Sequence, residues 1–76
     1  MKQNEKTRSR QIASNELLTQ QGELLTMHVV VMEQGRVTDV FPLRREEPFT
    51  EWLQGRIVLR DEDGHTCAYY KGVQLC

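Results

Sequence analysis

The chain is 76 residues long, 38% hydrophobic and 28% charged, with a formal net charge of −1. A chain of this length holds one domain with a modest core, whose stability of about 3–5 kcal/mol makes oligomerisation a natural expectation. No apolar run approaches the roughly 20 residues of a membrane-spanning helix and the N-terminus lacks the apolar core of a signal peptide, so no membrane association is expected and the expected compartment is the cytoplasm.

Charge is unevenly spread along the chain. Residues 1–10 hold Lys2, Lys6, Arg8 and Arg10 against Glu5, whereas the remainder holds six basic side chains against ten acidic ones. The polar opening is expected to be a disordered basic tail over residues 1–10, followed by a single small β domain over residues 11–76. A basic tail suits nucleic acid or an acidic partner, but the acidic body gives a bound polyanion nothing further to hold. The expected partner is therefore a protein or a second copy of this chain, not nucleic acid.

Residues 11–19 fit two patterns. Ser14 or Asn15 could cap a short helix through Glu16, Leu17 and Leu18, while Ile12, Leu17 and Leu18 also fit a strand with a bend. The following Gln20-Gln21-Gly22 favours strand, hairpin, strand, because it repeats the arrangement at the central turn. Around that turn, residues 24–43 read Leu-Leu-Thr-Met-His-Val-Val-Val-Met, then Glu-Gln-Gly, then Arg-Val-Thr-Asp-Val-Phe-Pro-Leu. Two runs rich in β-branched and apolar residues about a glycine signal a β-hairpin.

A two-residue loop, Gln34-Gly35, would need positive φ at both positions and strain Gln34, so a three-residue loop of Glu33-Gln34-Gly35 is expected. Val31 then faces Val37, Val29 faces Asp39 and Met27 faces Phe41. Leu25, Met27, Val29, Val31, Val37 and Phe41 share the richer face, and Thr26, His28, Val30, Met32, Thr38 and Val40 the other. Asp39 is discordant on the richer face, and must be either wet or paired with an arginine.

Gly64 and Gly72 follow polar pairs in the same way, so four of the five glycines fall where a tight reversal needs positive φ. Between these hairpins the pattern changes. Arg44-Arg45-Glu46-Glu47 is a charged link, Pro48 suits a first helical turn, and Phe49, Trp52 and Leu53 recur at helical spacing before Gly55 as a C-terminal cap. One short helix is expected there, its aromatic face covering an open side of the sheet; the alternative is an exposed Trp52 acting as a binding anchor. Residues 56–61 and 65–70 then read as a further hairpin, and residues 73–76 as a short edge strand. The expected fold is mainly β: a small antiparallel meander, sandwich or partly open barrel of about five or six short strands with one short helix.

No catalytic constellation emerges. His28, His65, Cys67 and Cys76 include zinc-compatible donors, but their spacing lacks the close ligand pairs of zinc sites. If Lys71-Gly72 is a two-residue turn, Cys67 faces Cys76 at a separation a disulfide accepts; if Tyr70-Lys71-Gly72 forms the loop, Cys67 faces Leu75 instead. Lysine fits poorly at positive φ, and a cytoplasmic chain keeps its thiols reduced. The carboxylates Glu46, Glu47, Asp61, Glu62 and Asp63 fall in links and turns, and each glycine stands apart from the others, so neither an acid/base pair nor a phosphate loop is formed. Trp52, Tyr69 and Tyr70 are the candidate interaction surface, although the adjacent tyrosines face opposite ways on a strand.

The run Val29-Val-Val-Met-Glu-Gln-Gly-Arg-Val-Thr-Asp-Val40, followed by Leu53-Gln-Gly-Arg-Ile-Val-Leu59, resembles the N-terminal segment of metal-dependent amidohydrolases. In that family such a hairpin and a second Gly-Arg-apolar strand build a small β-sandwich beside a catalytic barrel. Here Arg60-Asp61 stands where the family has Pro-Gly, and His65-Thr66-Cys67 replaces its His-x-His metal pair. The resemblance implies a similar β architecture, not hydrolysis. The expected role is thus a non-enzymatic interaction module or subunit, self-associating, with no cofactor. The alternatives are a detached amidohydrolase-like β subdomain or accessory chain of an enzyme, and a nucleic-acid-binding β domain using its basic tail.

Overall fold

The computed structural model describes residues 9–45 and 47–75. Residues 1–8, most of the expected basic tail, lie outside the described residues, as do Glu46 and Cys76. The chain forms β1 (Ser9–Leu18), β2 (Leu24–Glu33), β3 (Arg36–Pro42), β4 (Thr50–Glu62), β5 (His65–Tyr70) and β6 (Val73–Gln74). They make one open sheet in the order β3-β2-β1-β4-β5-β6. Neighbours run antiparallel except β1 and β4, which are parallel. The sheet is therefore mixed, neither an antiparallel meander nor a two-layer sandwich. Among the described residues no helix is long and apolar enough to cross a membrane.

The expected short helix is absent. Residues 48 and 49 make a turn, and the chain enters β4 at Thr50, so Trp52 and Leu53 point to opposite faces of a strand. The physical reason is that a helix of one or two turns carries the full nucleation cost with few hydrogen bonds to offset it. The free edge of β1 satisfies the same backbone groups along the whole segment. Gly55, read as a helix cap, instead sits within β4 at φ 116°.

That glycine marks the main irregularity of the sheet. The parallel register runs Ser14 to Leu53 and then Glu16 to Arg56, so β4 gains one residue opposite Asn15. The extra residue is held from two sides. Gly55 N donates to Asn15 Oδ1 at 2.7 Å, and the Tyr70 hydroxyl donates to the Gln54 carbonyl. Buried Ser14 donates its hydroxyl to the Glu16 carbonyl at 2.8 Å, completing the kink in β1. The kink changes which alternate residues face inward, so Ile12 and Leu17, five positions apart, both enter the core.

The core lies on one face and comprises Ile12, Leu17, Val30, Met32, Ile57, Leu59 and Ala68, with Leu25, Val37, Val40, Leu53, Tyr70 and Leu75 packed around it. Although three strands separate β3 from β5 in the sheet, the two touch, so the sheet curls around this cluster. At that seam Cys67 alternates with Ala68, and its thiol lies 3.5 Å from the Gly35 carbonyl and 3.4 Å from Gln74 Nε2.

The central hairpin corrects a second expectation. Gln34 and Gly35 form a two-residue turn, both at positive φ, and Glu33 pairs with Arg36. The register then shifts, pairing Met32 with Val37 but Val31 with Asp39 and Val29 with Phe41. The core consequently takes Val30, Met32, Val37 and Val40, largely the face expected to be the less apolar. A turn whose twist matches the strands outweighs the strain at one glutamine. Asp39 is exposed and its carboxylate accepts the Val40 amide at 2.8 Å. Asp63-Gly64 and Lys71-Gly72 adopt the same positive-φ pair. The poor fit of lysine therefore does not prevent a two-residue loop between Tyr70 and Val73.

Replacing Asn15 by Ala should leave the Gly55 amide without its acceptor and cost about 1–3 kcal/mol. Gly55→Ala should cost a similar 1–3 kcal/mol or so through backbone strain, since an added Cβ meets Tyr70 only at an ordinary 3.8 Å. Urea unfolding measures both, and unchanged midpoints would show that the bulge is dispensable. Ile57→Ala, at a fully buried core position, should cost more in the same assay, about 2–5 kcal/mol.

Candidate functional site

On the outer face a row of apolar side chains crosses four strands in register. Phe41 pairs with Val29, Val29 with Ala13, and Ala13 with Trp52. Val29 and Ala13 are buried even though they face away from the core. Ala13 lies beside the link between β3 and β4, lining a groove with Leu43 and Glu47. The connection from β3 must pass β2 and β1 to bring β4 parallel to β1, and Leu43 stays bound to β2 through its amide, which donates to the Met27 carbonyl at 2.8 Å.

This crossover has a groove on each side. One, of about 230 Å³, is lined by Ala13, Leu43, Glu47, Thr50, Glu51 and Trp52. The other, of about 410 Å³, is lined by Phe41, Pro42, Arg44, Arg45 and Glu47. Glu47 forms a wall common to both. Trp52 is 47% exposed, and Phe49, directly before β4, is 97% exposed with φ 58°. Among the described residues, Arg44, Arg45 and Glu47 make no ion pair.

At the groove's rim, Arg10 reaches Glu51 with both Nε and Nη2 at 2.9 Å, and its Nη1 donates to the Leu75 carbonyl at 3.1 Å. The guanidinium's hydrogen bonds hold the Glu51 carboxyl below its ordinary range. Arg10, expected within the tail, is thus part of β1 and ties it to β4 and to the end of the chain. A second exposed pair, Arg56 with Glu16 at 2.9 Å, lies farther along the same two strands.

The three residues expected as an interaction surface are not brought together. Tyr69 pairs with Val58, six residues beyond Trp52 along β4, about 20 Å at strand spacing. Its hydroxyl donates to Glu62 at 2.6 Å, and the Arg60 guanidinium sits 4.9 Å from its ring centre. Tyr70 faces the core side with its hydroxyl on Gln54, and the Lys71 ammonium lies 5.4 Å from its ring. Both tyrosines therefore serve the sheet, whereas Trp52 borders an open groove.

Other candidate groups are also occupied locally. Asp61 accepts from Thr66 at 2.7 Å and from Gln20 at 3.0 Å, which ties the first turn to the β4–β5 hairpin. His28 Nδ1 is bonded to the Thr26 carbonyl at 2.9 Å. Among the described residues no three His, Cys, Asp or Glu side chains converge as a metal site would require. Cys67 is a buried free thiol, and its sequence partner Cys76 lies outside the described residues. Phe41, Phe49, Arg44 and Arg45 were not expected at a site. Helical spacing assigns Phe49 to a short helix that Pro48 would open, and places Arg44 and Arg45 in a charged link.

No protein-family model matches the chain, and no curated protein or solved structure shows significant similarity to it.

Tyr69 is held protonated by its hydrogen bond to Glu62, with its pKa pushed up to about 12. Because the folded value exceeds the ordinary 10.0, this stabilisation is complete below pH 10 and is lost as pH rises toward 12. Alkaline titration followed by tyrosinate absorbance should show one late step that Tyr69→Phe removes. Glu51 has the opposite sign. Its contribution is complete above the ordinary value of 4.5 and fades as pH falls below it. With both partners nearly half exposed, the pair should be worth under about 1 kcal/mol in a double-mutant cycle of Arg10→Gln and Glu51→Gln at pH 7, and less at pH 3.

Proposed function

We propose that this chain is a non-enzymatic interaction module that works by binding protein, a second copy of itself in the first place. The observation that carries this is the outer face: a single open sheet leaves Phe49, directly before β4, exposed, and Trp52, on β4, half exposed where it lines an open groove. A small domain has few large apolar side chains, and leaving a phenylalanine in water forgoes about 1.5–3 kcal/mol of burial. Exposed aromatics beside arginines are also the residue types that anchor protein interfaces. Several polar side chains hold neighbouring strands together, among them Tyr69 on Glu62, Tyr70 on Gln54 and the Arg10–Glu51 and Arg56–Glu16 pairs.

The amidohydrolase-like alternative rests on the β2–β3 hairpin together with the Gly55-Arg56-apolar run, which lies within β4.

Sedimentation equilibrium on reduced full-length chain, over a wide concentration range, should show mass rising from one chain toward two. A monomer at every concentration that also recovers no partner protein from a cell extract would overturn the proposal.

A further inference from the structure

The open sheet ends in β3 on one side and β6 on the other. β6 has only two residues, Val73–Gln74, too few to template a further strand. β3 is different. Its seven residues, Arg36–Pro42, include Val37, Thr38, Val40 and Phe41, types that favour extended backbone. An edge of this composition invites pairing with another extended chain. Aspartate, by contrast, is depleted in strands. Asp39 nevertheless sits within β3, exposed and, among the described residues, without an ion pair.

The register shows which backbone groups this edge presents. The Leu43 amide donates to the Met27 carbonyl at 2.8 Å, and pairs along an antiparallel ladder alternate between hydrogen-bonded and non-hydrogen-bonded. Phe41 with Val29 and Asp39 with Val31 are therefore the bonded pairs, and Val40 and Pro42 direct their backbone groups away from β2. Neither offers a donor to a newcomer. The Val40 amide is taken by the Asp39 carboxylate, which accepts it at 2.8 Å, and proline has no N–H. An incoming strand would find carbonyls to donate to, while its own carbonyls would lose water without gaining a partner.

Nearer the turn the edge is irregular. The register shift leaves Thr38 as an extra residue in β3, its hydroxyl donating to the Val31 carbonyl at 3.4 Å. Such a bulge breaks the spacing that a new strand would have to match. The turn itself lies against β5, where the Cys67 thiol donates to the Gly35 carbonyl at 3.5 Å. We propose that β3 carries a built-in block against strand addition, in which Asp39 caps the Val40 amide and Pro42 withholds one, so that the sheet does not grow at this edge. The block stands apart from the self-association proposed above, and it directs any association to the faces of the sheet.

The test compares the full chain with the double variant Asp39→Ala and Pro42→Thr, which restores an outward donor at both positions. Both replaced side chains are exposed, and circular dichroism checks that the fold is kept. In sedimentation velocity the double variant should form species larger than any the wild type forms at the same concentration, with association strengthened about tenfold or more by the regained backbone hydrogen bonds. Amide exchange identifies the surface used. In dilute protein the Val40 amide should exchange roughly tenfold faster once its acceptor is gone, in Asp39→Ala alone as in the double variant. In the double variant it should slow again as concentration rises and a neighbouring strand accepts it. Asp39→Asn keeps an acceptor oxygen without the charge and should sediment as the wild type does. A double variant that sediments as the wild type, or that associates while Val40 exchange stays fast, overturns the block. An Asp39→Asn chain that associates as the double variant does overturns it too, because charge rather than the capping bond would then guard the edge. Every comparison is with the wild type under the same conditions, so the result is independent of whether the wild type is a monomer or a dimer.

Discussion

The parallel pairing of β1 with β4 is the constraint from which the rest of the structure follows. Once β1 has taken β2 on one side, its other edge can be closed only by a strand brought in from elsewhere. The direction of that strand decides what the connection must do. An antiparallel β4 could have followed from a turn at the near end. A parallel one obliges the connection to travel back across the sheet. The crossover, its two grooves and the outward placing of Phe49 are all consequences of that one choice of direction.

The bulge opposite Asn15 makes the pairing compatible with a core. Without the kink, Ile12 and Leu17 would point to opposite faces, and one of them would be lost from a cluster that has few members to spare. Asn15, Gly55 and Tyr70 act together here. An amide oxygen takes the glycine N–H, a phenol takes the neighbouring carbonyl, and the absence of a β-carbon allows the backbone angle. Polar groups at the break in the ladder are thereby satisfied inside the protein, as buried backbone groups must be.

Much of the strand content was legible because it rests on local chemistry. Gln34-Gly35, Asp63-Gly64 and Lys71-Gly72 announce reversals through the glycine, and the runs on either side are rich in residues that favour extended backbone. What local pattern could not supply was strand order and direction. Phe49, Trp52 and Leu53 have helical spacing, and only the vacant edge of β1, some 40 residues distant, draws them into a strand. The same gap hid the site. Trp52, expected to cover the sheet from a helix and an anchor only in the alternative reading, borders a groove from a strand, whereas Tyr69 and Tyr70 are spent on Glu62 and Gln54. Phe49, Arg44 and Arg45 all lie between β3 and β4, on a connection whose course depends on that same distant edge.

The distance in sequence between β1 and β4 bears on how the molecule is made. β1, β2 and β3 are joined by short reversals and can pair within microseconds, as can β4 with β5. The central ladder is different. Leu18 meets Val58, so during synthesis the first three strands wait with one long hydrogen-bonding edge uncovered until most of the chain has emerged. An uncovered edge of that kind is a template for any extended segment nearby. The slow, non-local docking of β4 is thus the step at which the nascent chain is most exposed to wrong pairing, and the rate at which the crossover closes sets how long that exposure lasts.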